Sequence, residues 1–293
     1  MTGPDAFVGL LGANVLIDKG IDAEPPHGRD PRDVASLMHA APIDVRRVPL
    51  RHIAEMRDAF RAEMACQIVH DALHRRRGWT REFALVEDRR TVGYASLAVD
   101  GPWRDKPTFY ELYVEPDHRA RASALFEAFL HETTPVAFEV QSNDALTTAM
   151  ALTYARDIAT ERIVFRDHST TGRVLPRAEL RCVTSSEEIQ AAIKDRQGGG
   201  EWVLEVDGTV VGSGGVLFHY NRPYGDVYME INEEYRRRGF GSYLVQEIKR
   251  RCYELGAIPA ARCDTTNKAS QRTLQSAGFI PYAHILVGAF APF

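Results

Sequence analysis

One feature constrains this chain more than any other: its second half repeats its first. Glu82-Phe-Ala-Leu-Val-Glu-Asp-Arg-Arg-Thr-Val-Gly93 lines up with Glu201-Trp-Val-Leu-Glu-Val-Asp-Gly-Thr-Val-Val-Gly212. Tyr110-Glu-Leu-Tyr-Val-Glu-Pro-Asp-His-Arg119 lines up with Val227-Tyr-Met-Glu-Ile-Asn-Glu-Glu-Tyr-Arg236. Phe138-Glu-Val-Gln-Ser-Asn143 lines up with Arg262-Cys-Asp-Thr-Thr-Asn267. Chance similarity would not keep three matches in order at a nearly constant separation, so the pattern reads as a duplication. Each copy alternates apolar, β-branched runs and polar turns, then shows helical periodicity. The order in each is strand, strand, strand, helix, strand, helix.

A chain of 293 residues is long enough for two such domains. The stretch His168–Pro176, rich in Ser, Thr, Gly and Pro, is the natural join. The expected division is an N-terminal extension over 1–44, a first domain over 45–172 and a second over 173–293. Apolar residues make up 44% and charged residues 26%, enough for two cores. A net charge of −4 argues against a nucleic-acid partner gripped through its phosphates. No apolar run approaches the roughly 20 residues that span a bilayer, so no membrane partner is expected. The apolar stretch Ala6–Ile17 follows Asp5, not a basic cluster, and lacks a small-residue cleavage site. Cys66, Cys182, Cys252 and Cys263 show no paired spacing and read as reduced thiols of a cytoplasmic protein.

In the second half, Arg236-Arg-Arg-Gly239-Phe-Gly241-Ser-Tyr-Leu follows a strand and opens a helix. That helix is periodic at Leu244, Ile248, Cys252 and Leu255 and is closed by Gly256 and Pro259. A helix start offers unpaired N–H groups and partial positive charge. Glycines there let the oxygens of an anion reach the backbone, and three arginines add countercharge. A surface arginine run before a glycine turn is the plain alternative. The preceding strand and the long helix favour a pyrophosphate cradle.

These residues resemble the GNAT superfamily of N-acyltransferases, whose acyl-CoA signature is R-x-x-G-x-G between a strand and a helix. The resemblance runs from about Glu201 to Phe293 and includes Gly256-Ala-Ile-Pro259, Asn267-Lys-Ala-Ser270 and Ala277-Gly278-Phe279. It implies an α/β (α+β) fold of two GNAT-like domains, each a mixed, mostly antiparallel sheet flanked by helices. It implies acetyl-CoA as cosubstrate, held by Arg236, Arg237, Arg238, Gly239, Phe240, Gly241 and Ser242. Ile231 would offer its backbone to the pantetheine arm, and Asn267 and Ser270 would meet that arm from the far side. Asn267 also reads as a simple helix N-cap.

Acyl transfer to an amine needs a proton acceptor and a group that stabilises the developing oxyanion. The resemblance assigns the oxyanion to main chain near Met229–Ile231. For the base, Asp226 and Glu230 share one face of the strand. Some relatives carry an acid at the position that falls on Asp226. Both stay open, and so does a solvated or salt-bridged role for either. Many relatives carry a tyrosine where this chain has Leu274, so the thiolate leaves without a dedicated acid or draws on Cys263, Ser270 or Tyr282.

Where the second half has Gly239 and Gly241, the first has Ala122 and Ala124, a worn copy of the turn. A helix is expected over Leu50–Leu73, abbreviated to Ser185–Gln197 in the second half. His70-Asp-Ala-Leu-His74 resembles a zinc-protease helix, yet no third ligand follows. It reads as two surface histidines, and no metal is expected. Arg75–Arg77 reads as a solvated helix end. The expected activity is acetyl transfer to a small-molecule amine, by an enzyme that is compatible with a homodimer. The alternatives are an acyl-CoA-binding regulatory protein without turnover, and acetylation of protein or aminoacyl acceptors.

Overall fold

The computed structural model describes residues 42–183 and 201–291. The first half contributes β1 (Ile43–Val48), α1 (Ala54–Met64), β2 (Thr80–Glu87), β3 (Arg90–Ala98), β4 (Thr108–Val114), α2 (Ala122–Thr133), β5 (Ala137–Gln141), α3 (Ala145–Tyr154) and β6 (Ala155–Asp167). The second contributes β7 (Ala178–Cys182), β8 (Glu201–Val206), β9 (Thr209–Leu217), β10 (Tyr224–Ile231), α4 (Phe240–Glu254), β11 (Ile258–Asp264), α5 (Lys268–Ser276) and β12 (Phe279–Phe290). Among the described residues the repeat is therefore structural from β2 to β6 and from β8 to β12. Gly93 and Gly212 stand at matching positions for a shared reason: a Cβ on either would run into the carbonyl oxygen of the adjacent strand, Tyr113 or Glu230.

All the described strands join one sheet, ordered β1-β2-β3-β4-β5-β12-β6-β11-β10-β9-β8-β7. The two halves exchange their last strands. β6 pairs with β11 of the second half, from Ala260↔Arg166 to Asp264↔Arg162. β12 pairs with β5 of the first, from Ile285↔Gln141 to Ala289↔Ala137. Either half alone would leave β5 or β11 as an open edge, a costly feature that the exchange removes. The sheet runs unbroken through both repeats. Two cores lie against it: α2 and α3 cover β2–β5 around Phe109, Phe126 and Phe129, and α4 and α5 cover β8–β11 around Leu244, Ile248 and Leu274.

Each half splays its sheet at its centre. β4 pairs in parallel with β5 only at Thr108↔Ala137 and Phe109↔Phe138. β10 pairs with β11 only over Tyr224–Asp226. Beyond these points the strands part.

Several expectations are corrected. Leu50–Leu73 is not one helix. It comprises a short 3-10 turn (Leu50–Ile53), α1 and a second 3-10 turn (Asp71–Arg75). The break is at Ala65, which adopts a left-handed φ of 45°. The intervening backbone is drawn between the halves by two side-chain amides. Asn221 accepts from the N–H of Ile68 (2.7 Å) and donates to the carbonyl of Cys66 (3.0 Å). Gln141 accepts from the N–H of Val69 (2.6 Å) and donates to the carbonyl of Gln67 (3.1 Å). A buried loop needs such partners. Leu255 falls after the end of α4 and is exposed. The expected helix at Ser185–Gln197 and the extension over 1–41 lie outside the described residues. The first strand already begins at Ile43. The join is coil between β6 and β7, and Lys249 and Gln246 of α4 bond to the carbonyls of Ser169 and Arg173 within it. The cysteines are unpaired.

Candidate functional site

The two halves present the same turn in two chemical states. In both, an arginine braces the turn against the preceding strand: Arg119 Nε donates to Val114 O and Arg236 Nε to Ile231 O, each at 3.0 Å. In the first half the basic side chains of the turn face carboxylates. Glu87 takes His118 at 2.9 Å and Arg121 at 2.7 Å, and Glu63 takes Arg119 at 2.6 Å. In the second half Arg237 and Arg238 have no carboxylate partner among the described residues, and Arg238 lies over the Tyr235 ring at 5.6 Å.

The backbones differ too. In the first half a 3-10 turn over Pro116–Arg121 runs straight into α2, with Ala122 right-handed at φ −55°. Gly239 is left-handed at φ 84° and caps α4 with no side chain in place. A Cβ built on Gly239 would meet nothing within 4 Å, so the space before the helix start is open. Glycine is required there for its φ and for close approach of an anion. Gly241 differs: its Cβ would come within 3.3 Å of Thr273, so its smallness also serves packing of α4 on α5. The open turn, free N–H groups and unpaired arginines fit a pyrophosphate.

The Ile231 carbonyl accepts from Arg236 Nε. Beyond Asp226 the β10 backbone runs on to Ile231 without its parallel neighbour. In the first half the corresponding gap is bridged: Thr147 Oγ1 of α3 donates to Leu112 O at 3.1 Å. No described hydrogen bond joins α5 to β10. Asn267 caps α5 by accepting from the N–H of Ser270 at 3.0 Å.

A cavity of about 870 Å³ opens from this splay toward the first half. Met229, Val245, Ser270 and Leu274 line one end, and Trp79, Trp103, Glu139 and Arg76 of the first half line the other. Asp226 lies on its wall and is buried. Gln67 Nε2, from the loop between the halves, donates to Asp226 Oδ1 at 3.1 Å. His219 Nε2 is 3.5 Å from Asp226 Oδ2 and, poorly aligned, has no hydrogen-bond partner. Arg262 Nε lies 3.9 Å from the same oxygen. Glu230 shares the strand face but is exposed and outside the cavity lining. Of the acids considered for the thiolate, Ser270 lines the cavity. Cys263 is buried beside it, its thiol pushed up by burial. Tyr282 is outside the lining, under Arg166 at 4.7 Å.

Sequence reasoning did not find Gln67, His219, Tyr220, Arg162 or Arg262. His219 and Tyr220 sit in the loop after β9, and Gln67 in a loop that reads as helix, so no periodic signal marks them. The histidines of the zinc-protease-like run are buried, not on the surface. His70 pairs with Glu139 at 2.8 Å. His74 Nδ1 contacts Glu82 at 3.1 Å and Nε2 contacts Glu111 at 3.2 Å. Both nitrogens facing carboxylates is the arrangement of an imidazolium. Burial alone would lower the His74 pKa, but Glu111 and Glu82 hold it above its ordinary value. Glu111, fully enclosed, is held well below the carboxylate range by Arg57 and His74 despite its burial. Arg57 completes the network, bonding Glu111 and Asp71. Arg75–Arg77 is exposed as expected, though Arg75 donates to Tyr220 O at 3.0 Å.

Residues 172–279 match the acetyltransferase (GNAT) family. Solved structures share the fold over most of the chain. A GNAT-family acetyltransferase from Colwellia psychrerythraea is 14% identical with a TM-score of 0.65, covering 85% of this chain and 100% of that one. A GCN5-related N-acetyltransferase from Sphaerobacter thermophilus is 15% identical with a TM-score of 0.55, covering 85% and 96%. A tandem GNAT protein from the clavulanic acid biosynthesis pathway, solved without AcCoA, is 14% identical with a TM-score of 0.53, covering 86% and 100%. No curated protein matches the sequence.

Proposed function

Residues 172–279 being a GNAT-family acetyltransferase domain, and acyl-CoA being the acyl donor of that family, we propose that this protein transfers an acetyl group from acetyl-CoA to the amine of a small molecule held between its two halves. The observation that carries the reading is the contrast of the turns. Only the second has a left-handed glycine before its helix and arginines free of carboxylates.

On this reading the N–H groups of Phe240, Gly241 and Ser242 hold the pyrophosphate, with Arg237 and Arg238 as countercharge. Arg236 keeps the turn against β10. Asn267 and Ser270 border the pantetheine arm, and the parted β10 backbone near Met229 offers a donor for the carbonyl oxygen. The amine attacks the thioester carbon. A C–N bond forms, the C–S bond breaks with its electrons on the CoA sulfur, and the nitrogen gives up a proton. Asp226 attracts the ammonium form of the acceptor, which loses one proton to solvent to become the neutral nucleophile; the second proton, released as the C–N bond forms, goes to the free Nε2 of His219, directly or through one water. The exposure of Glu230 favours Asp226 over it. Leu274, buried in the cavity wall, leaves the thiolate to depart unassisted or to draw on Ser270.

Release of free CoA, followed by a thiol reagent across an amine library, tests the reading. Acetyl-CoA-dependent release with at least one amine is expected. Tight acetyl-CoA binding without release for any amine would favour a binding protein without turnover.

A further inference from the structure

The cavity is bordered by guanidinium groups that no described side chain hydrogen-bonds. Three guanidinium groups reach its lining: Arg162 from β6, Arg262 from β11 and Arg76 from the end of the first-half 3-10 turn. None makes a side-chain hydrogen bond to a described residue. The nearest carboxylate to Arg162 is the adjacent Glu161, at 3.6 Å, and that pair is half-exposed. Such pairs contribute little and are easily displaced. Arg262 stands 3.9 Å from Asp226, and Arg76 lies over the Trp79 ring at 4.3 Å. The other cavity acids are engaged. Glu139 takes His70 at 2.8 Å and Trp103 at 3.3 Å, and Asp226 takes Gln67.

The pairing of the exchanged strand sets two of these arginines side by side. Arg262 pairs with Val164, so Arg162 is its diagonal neighbour on the same face. Diagonal Cα atoms lie roughly 7–8 Å apart, within reach of two long side chains that converge on one group. Tyr220 is buried between the charges. Burial and Asp226 push its phenol up, while Arg262, Arg162 and Arg76 draw it back, so all three fields meet there. Arg262 also lies over the Tyr220 ring at 5.3 Å. A planar, permanently charged fork is suited to a carboxylate or a phosphate.

We propose that Arg162, Arg262 and Arg76 form an anion subsite in the acceptor end of the cavity, so that the amine acetylated here carries a carboxylate or a phosphate a few bonds from its nitrogen. The proposal rests on the acetyltransferase reading for its placement of the amine at Asp226. The subsite exists only because β6 crosses from the first half into the second, which gives the exchange a role in specificity.

The test uses the full chain with acetyl-CoA. One arm offers amino acids and their primary amides; a second offers O-phosphoethanolamine and ethanolamine. Turnover and the rise in melting temperature of the CoA-saturated protein are both read. The anionic member of a pair is expected to have kcat/KM about tenfold or more above its neutral partner. Arg162→Gln and Arg262→Gln should erase that preference through KM while acetyl-CoA affinity holds. Preference in the first arm identifies a carboxylate, in the second a phosphate. Neutral partners that serve equally well, or a preference that survives both substitutions, would overturn the subsite. With no turnover in either arm none of these compounds is an acceptor, the transferase reading is decided by the amine library, and the melting shift then decides the subsite. Stabilisation by anionic compounds that is lost in Arg162→Gln supports it, and no stabilisation overturns it.

Discussion

The first and second halves share a fold, a bracing arginine and a splayed sheet, but they fill the splay differently. In the first, β4 beyond Phe109 is covered by α1 and the 3-10 turn Asp71–Arg75, which carry Arg57 and His74 onto Glu111, with Asp71 holding the far side of Arg57. Tyr94 adds its hydroxyl to Glu111 at 2.8 Å. In the second, the same region of β10 faces a cavity, and its acid, Asp226, is held by one amide and flanked by an unpartnered imidazole. Where Asp226 stands, the repeat places Phe109 in the first half, in the core. One copy has spent its polar groups on one another and gained a rigid interior. The other has kept them available to a ligand.

This comparison breaks first at Asp226. Asp226→Asn is expected to lower turnover on the true acceptor by on the order of 10²–10⁴ with acetyl-CoA affinity nearly unchanged, whereas Glu230→Gln stays close to wild type. Steady-state kinetics of both variants decide it, and equal losses would remove the distinction between the cavity acid and the exposed one.

The reverse pattern is expected in the first half. Glu111→Ala leaves Arg57 and His74 buried without their shared anion and should cost about 3–5 kcal/mol in denaturant unfolding. A cost below about 1 kcal/mol, the worth of a surface pair, would show that the network is not a structural core.

The turns can be exchanged in kind. Gly239→Asp forces a side chain into a left-handed position and sets a carboxylate against the pyrophosphate. It should weaken acetyl-CoA binding at least about a hundredfold by calorimetry. Ala122→Gly should create no second site, because Glu87 and Glu63 still hold the first-half cations.

The smallest effect is one of pH. The raised pKa of His74 contributes stability that is complete below its ordinary value of 6.5 and is lost as pH rises through the higher folded value. The depressed pKa of Glu111 contributes stability that is present above its ordinary 4.5 and is lost as pH falls toward the folded value. Between these limits both contributions are in force. Melting temperature should therefore peak in mildly acid buffer, and His74→Gln should flatten the decline on the alkaline side. An unchanged decline in that variant would locate the titration elsewhere.

Much of this was legible in the chain. The repeated strand and helix order, the glycine turn before α4 and its degenerate copy at Ala122 follow from periodicity and from where a side chain would block an anion; the left-handed φ of Gly239 came from the structure. Asp226 was named with Glu230, and strand alternation put them on one face, as found. Alternation says nothing of depth, so it could not tell the buried acid from the exposed one. The run Leu50–Leu73 has helical composition, and only the pull of Asn221 and Gln141 on its backbone explains why it breaks at Ala65. His70 and His74 read as surface residues because their anions, Glu139, Glu82 and Glu111, lie on other strands.

The sequence by itself determined the local grammar: which segments extend, which coil into helix, and where a helix start is left open for an anion. These depend on residues a few positions apart, whose interactions survive in any context that keeps the backbone state. Only the tertiary structure decided where the two copies meet. Gln67 reaches Asp226 across 159 positions and Asn221 holds Cys66 across 155. The exchanged strand β6 carries Arg162 to Arg262 in the same way. Pairings over such separations are selected by which strand edges and buried amides remain unsatisfied once the local elements have formed, and that remainder is a property of the assembled chain.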